Sequence, residues 1–149
     1  MARVTESGDA ATAVAELLEA WAYHHRVHNL RGDLPQAQWV ALRFLATCNA
    51  TAATVMSFAK LHGITGGTAS RTIGHLERRR LVARQANSTD RRSYLLRVTD
   101  KGRQMLAKEP LNIIKAAIQG MGVSDLRIMG DGLNAALRAL PSERGRRSS

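Results

Sequence analysis

The sequence predicts a mainly helical chain with one small β-hairpin, and three observations carry that prediction. Apolar residues recur at three- and four-residue spacing over most of the 149 residues. Two short apolar runs, Leu81–Ala86 and Ser93–Val98, flank a polar loop holding the turn formers Asn87, Ser88 and Asp90. Threonine, serine and glycine stand at the ends of the periodic segments, where helices start and stop.

From about Asp9 to Arg31, Val14, Leu17, Leu18 and Trp21 share one helical face, and Gly32 closes the segment. A second helix follows Leu34 and Pro35, proline being suited to a first helical turn, and runs through Trp39, Val40, Leu42, Phe44 and Leu45 towards Cys48. Thr51 is expected to begin a third, carrying Val55, Phe58 and Leu61 as far as Gly63. Thr65 is the expected N-cap of a fourth, in TGGTASRTIGHLERRR. Helical periodicity puts Ala69, Ile73 and Leu76 on one face of it and Gly67, Thr68, Arg71, Gly74, His75 and Arg78 on the other. Glycine at position 74 costs about 1 kcal/mol against alanine, a cost that close approach of something large would offset. After the hairpin, Thr99 caps a fifth helix through Met105 and Leu106, and Pro110 interrupts the pattern before LNIIKAAI resumes it. Gly120 and Gly122 break the chain again. Ser124 is expected to cap a last helix with Leu126, Met129, Leu133, Leu137 and Leu140 on one stripe. The basic, apolar-poor tail from Pro141 to Ser149 is expected to be disordered, and no internal repeat is found.

The net charge is +10 and the isoelectric point about 11.2, which implies a polyanionic partner: nucleic acid first, an anionic membrane second. No run of about 18 apolar residues is present to span a bilayer and the N-terminus has no basic-then-apolar pattern, so a cytoplasmic location and no membrane association are expected. The single cysteine, Cys48, excludes an internal disulfide framework. Aromatic residues make up only 4%, which argues against stacking platforms for single strands. There is no glycine-rich phosphate loop, no His-Glu-x-x-His and no Gly-x-Ser-x-Gly, and the acids are scattered, so no enzyme is expected and no catalytic residue or cofactor is assigned.

Three helices followed by a two-stranded hairpin is the order of a winged helix-turn-helix, whose third helix enters the major groove of DNA. Between Thr65 and Arg103 ten cations stand against three acids, so most of the net charge sits in about a quarter of the chain. Arg71 suits a base-edge contact, because its fork can pair with guanine O6 and N7, and Thr68 and His75 follow it. Ser70 and Thr72 flank that face and suit phosphate contacts, while Arg78, Arg79 and Arg80 either neutralise phosphates or cover the surface.

From roughly Leu34 to Leu106 the sequence resembles the multiple-antibiotic-resistance regulator (MarR) family of bacterial transcription factors, on LPQAQWVALRFL, TASRTIGHLERRRLVAR and DRRSYLLRVTDKG. The resemblance implies a winged helix-turn-helix with N- and C-terminal dimerisation helices: residues 1–33 and 107–140 for dimerisation, 34–106 for the DNA-binding lobe and 141–149 for the tail. It also implies a wing in which Asp90 holds Arg92 by an ion pair for insertion into the minor groove, with Arg91 nearer phosphate. A narrow minor groove concentrates negative potential, which suits a tethered guanidinium. The Val14–Trp21 and Leu126–Leu140 stripes need burial that a small lobe cannot supply, so a homodimer on a pseudo-palindromic site is expected.

By the same resemblance, a small aromatic or carboxylate effector would lie against His24, His28, Arg31, Trp39 and Arg43 and relieve repression. His24 and His28 share a face at the spacing of metal ligands, but no acid or cysteine completes a site, so no metal is expected. Cys48 has no adjacent cation to activate it and is expected to be an inert thiol. The alternative function is a non-specific architectural or nucleoid-associated DNA-binding protein, separated from a regulator by its specificity ratio. A further rival, an anionic-membrane or protein-binding module, predicts little affinity for duplex DNA.

Overall fold

The computed structural model describes residues 7–30, 33–88, 90 and 93–140. The order is α1 (Ser7–Leu30), α2 (Gln36–Thr47), α3 (Val55–His62), α4 (Gly66–Arg78), β1 (Val82–Ala86), β2 (Tyr94–Val98), α5 (Asp100–Leu106), α6 (Leu111–Ile118) and α7 (Val123–Ala139). The mainly helical class with a single hairpin is therefore observed. Packing divides the chain into two compact units, one through Asn112 and one from Ile113. None of the described helices is long and apolar enough to cross a membrane.

The core belongs to the first unit and draws on every element from α2 to β2. Trp39 and Leu42 of α2, Phe58 of α3, Ile73 and Leu76 of α4, Val82 of β1 and Leu96 of β2 are buried together with Leu34 and Leu81. The expected apolar face of α4 is the buried one: Ala69, Ile73 and Leu76 expose no surface at all. Burying three such side chains is worth several kcal/mol, and it fixes which way the opposite face points.

Hydroxyl caps set the helix starts, with two departures from the sequence expectation. Thr65 Oγ1 accepts the Thr68 amide at 3.2 Å at the head of α4, and Thr99 Oγ1 accepts the Gly102 amide at 3.1 Å at the head of α5. The cap of α3 is Thr54, accepting from Ser57 N at 3.1 Å, whereas Thr51 donates to Asn49 Oδ1 in the preceding turn. Thr51 is the first hydroxyl after α2, but the chain must turn once more before Phe58 can reach the core. Gly122, and not Ser124, occupies the N-cap of α7, so Ser124 falls inside the first turn. Pro35 sits at the N-cap of α2, one position ahead of the first helical turn.

The hairpin is antiparallel, pairing Val82 with Val98 through to Ala86 with Tyr94. On its other edge β2 is joined to the α2–α3 connection, where the Leu96 amide donates to the Ala53 carbonyl at 2.7 Å. The turn from α4 into β1 is fastened from several directions. Arg79 Nη1 donates to the Asp33 carbonyl at 2.6 Å, Lys101 Nζ to the Arg79 carbonyl at 3.0 Å, and Thr99 Oγ1 to the Arg80 carbonyl at 2.7 Å. Arg80 itself has φ 59°, in the left-handed region.

Within the second unit, Ile128 and Leu137 of α7 and Leu140 at its C-cap are well exposed. The tail from Pro141 lies outside the described residues.

Candidate nucleic-acid interface

Because Ala69, Ile73 and Leu76 are sealed in the core, the opposite face of α4 is presented outward. Gly67, Thr68, Ser70, Arg71 and His75 are exposed, and Thr72 is half-buried, its hydroxyl donating to the Thr68 carbonyl at 3.0 Å. Arg71 makes no hydrogen bond or ion pair among the described residues. At the last turn Arg78 Nη2 lies 2.7 Å from His75 Nδ1. No side chain explains Gly74, since a Cβ there would meet only the far end of Arg78 at 3.8 Å.

The cations around α4 divide into outward-facing and internally engaged groups. Arg84 Nε and Nη2 donate to the two Glu77 oxygens at 2.5 and 3.1 Å, and its guanidinium lies 5.6 Å from the Tyr94 ring centre. The hydrogen bond to Glu77 holds the Arg84 guanidinium above its ordinary pKa, against an opposing effect of burial. Arg84 thus braces the hairpin against α4. Arg97 donates to Gln85 Oε1, and Arg103 pairs with Asp100 and donates to the Val98 carbonyl. These groups still contribute positive field, but their geometry serves the lobe itself.

At the wing the Asp90 carbonyl accepts the Ser93 amide at 3.1 Å, and Asn87 Nδ2 donates to Ser93 Oγ at 2.8 Å. Asp90 is exposed. Arg91 and Arg92 lie outside the described residues, and with them the expected ion pair.

Of the residues named for an effector pocket, the structure describes the side chains of Trp39, Arg43 and His24. Trp39 is 1% exposed and forms part of the core. Arg43 Nε donates to Glu109 Oε1 at 2.7 Å, and Glu109 is buried. His24 is exposed on α1, edge-on to Tyr23, while Arg31 and the side chain of His28 lie outside the described residues. Two clefts, of about 230 and 430 Å³, are lined by other residues, the first including Leu45, Cys48, Leu96 and Arg103 and the second Thr54, Met56, Arg84 and Tyr94. Burial pushes the Cys48 thiol above its ordinary pKa, with its backbone hydrogen bond opposing. Among the described residues no group of three or more His, Cys, Asp or Glu is placed to hold a metal ion. Glu109 was not singled out from the sequence, because its partner lies 66 positions away and no local spacing links them.

A family model described as the MarR family matches residues 32–93. Among solved structures, the S. aureus MepR–DNA complex is 20% identical, with 85% of this chain and 97% of that one covered at a TM-score of 0.63. The transcriptional regulator BldR from Sulfolobus solfataricus is 20% identical over 91% of this chain and 100% of its own, with a TM-score of 0.62. The YusO protein from Bacillus subtilis is 17% identical over 91% and 100%, with a TM-score of 0.61. No curated protein matches the chain. The matched segment holds α2, α3, α4 and β1, the elements that build the core and aim the cationic face. Residues 32–93 thus match the MarR family model, in a chain that shares its fold with solved MarR family proteins.

Proposed function

We propose that the protein is a transcriptional regulator that binds duplex DNA sequence-specifically as a homodimer, on a pseudo-palindromic operator. The observation that carries this reading is the orientation of α4: its apolar face is wholly buried, and Thr68, Arg71 and His75 stand outward in a strongly cationic lobe. A helix so placed can enter a major groove, where Arg71 offers a bidentate donor to guanine. Ser70 and Thr72 contact phosphate at its flank. The wing, with Arg92 steadied by Asp90 and Arg91 nearer phosphate, takes the adjacent minor groove. MepR, with the same fold, has been solved on DNA.

Residues 34–106 form the DNA-binding lobe in this reading, with residues 1–33 and 107–140 serving dimerisation. The exposed apolar side chains of α1 and α7 supply the motive for pairing. Regulation is by repression: the dimer occupies promoter DNA, and a small aromatic or carboxylate effector releases it by altering the spacing of the two lobes. Such release requires that the effector bind the two spacings with unequal affinity. His24, His28 and Arg31 remain the residues proposed for it. Trp39 and Arg43 can take part only if the core and the Glu109 pair open.

Selection from a randomised duplex pool at physiological salt, with Arg71→Ala and Arg92→Ala alongside, tests the reading. The expected result is a two-fold-symmetric site preferred at least about a thousandfold over bulk DNA. Arg71→Ala should lose base preference at one position per half-site. Tight binding without enrichment would make the protein an architectural factor instead.

A further inference from the structure

On the exposed face of α4, Arg78 Nη2 approaches His75 Nδ1 at 2.7 Å from one turn further along the helix. A guanidinium has donors and no acceptor, so Nδ1 must offer its lone pair. In a neutral imidazole the proton then sits on Nε2, which the ring geometry directs away from Arg78. We propose that Arg78 is a positioning residue that fixes His75 as an Nε2–H donor, and that His75 uses this donor to read a purine N7 in the major groove. The proposal rests on the DNA-binding function above and deepens it.

The chemistry follows from the groove edges. Purines offer N7 as an acceptor there, whereas cytosine N4 and adenine N6 are donors. An imidazole free to exchange tautomers meets either kind of edge. One held by Arg78 meets only an acceptor. His75 shares the outward face with Thr68 and Arg71, so it adds a base position to the one assigned to Arg71. An Arg78 that served only as a phosphate ligand would leave the imidazole unaffected.

The tautomer is measurable without DNA. In the ¹⁵N-labelled full-length protein at pH 8, His75 is assigned by the loss of its ring signals in His75→Asn. The expected spectrum has a pyrrole-type Nε2 and a pyridine-type Nδ1 with no averaging. Arg78→Glu, whose carboxylate only accepts, should move the proton to Nδ1, and Arg78→Lys, which keeps a donor, should retain the wild-type pattern. Averaged nitrogens in the wild type, or an unchanged spectrum in Arg78→Glu, would overturn the role of Arg78 whether or not the protein binds DNA. In a second arm, each purine of the selected site is replaced in turn by its 7-deaza analogue. Two purines per half-site should then lose affinity in the wild type, the guanine read by Arg71 and a second one, and the loss of about tenfold at the second should vanish in His75→Asn. A loss confined to the Arg71 guanine, or one that persists in full in His75→Asn, overturns the base-reading role. Absence of any duplex binding overturns the proposed function and leaves the tautomer result standing.

Discussion

Arg80 adopts φ 59° between α4 and β1, where a residue with a Cβ crowds the following carbonyl and glycine does not. Arg80→Gly should therefore raise stability by about 0.5 kcal/mol in urea unfolding, after the added freedom of the unfolded chain is set against the relieved strain. Arg80→Val should lower it by about 1 kcal/mol or more, since a β-branched residue fits that region worst. Cys48 provides a second test at this scale. Burial raises its pKa in the folded state, so the thiol form is favoured and the reactive thiolate is scarce at neutral pH. Alkylation by iodoacetamide at pH 7.5 should be slower than for an exposed cysteine peptide, and an equal or faster rate would contradict the raised pKa. A folded pKa above the unfolded one stabilises fully below the ordinary thiol range and loses that contribution as pH rises through the folded value. The stability difference between wild type and Cys48→Ala should accordingly shrink above about pH 8.5, and a pH-independent difference would contradict the assignment.

At the scale of elements, α5 makes a close backbone approach at Gly102, its one buried residue. A Cβ at Gly102 would collide with the Leu81 carbonyl oxygen and lie 2.7 Å from Val98 Cγ1. Backbone cannot yield as a flexible side chain can. Gly102→Ala should cost about 2–3 kcal/mol, read as a lowered urea midpoint. The glycine in RVTDKG was visible in the sequence, but this reason for it was not. Local signals were legible: the Thr65 and Thr99 caps, the Ala69–Ile73–Leu76 face and the hairpin all follow from spacings within a few residues. What failed to show was set by distant partners or by competition between neighbours. Thr51 and Thr54 are both capping residues, and only the path of Phe58 into the core selects the second. Arg43 read as an open cationic handle because nothing local points to Glu109, and Trp39 read as a pocket wall because burial is a property of the assembled lobe. The outward residues of α4 were legible as a candidate interface for the opposite reason, since a helical face is decided by period alone.

At the scale of the whole molecule, exposed apolar surface on α1 and α7 calls for a second copy. Leu17 is 70% exposed and Leu137 65%, values that a single-chain account leaves unburied. Sedimentation should find a dimer, while Leu17→Asp and Leu137→Asp should yield folded monomers with at least about tenfold weaker operator binding, because two linked half-sites reinforce each other. Monomeric wild-type protein at micromolar concentration would remove the two-fold operator from the proposal. The fastened turn after α4 has a further bearing on how the lobe opens. Asp33, Thr99 and Lys101 all hold it, the Leu81 amide bonds back to Leu76, and the Thr99 amide bonds to Leu81. A fluctuation that frees one of these strands of connection must break the others, so the lobe has no cheap partial opening at that joint. In amide hydrogen exchange, Leu81, Leu96 and Thr99 should share a single protection value near that of global unfolding, while the amides of α1 exchange earlier. Helix α4, strands β1 and β2 and α5 would then be a single foldon that moves as one rigid part.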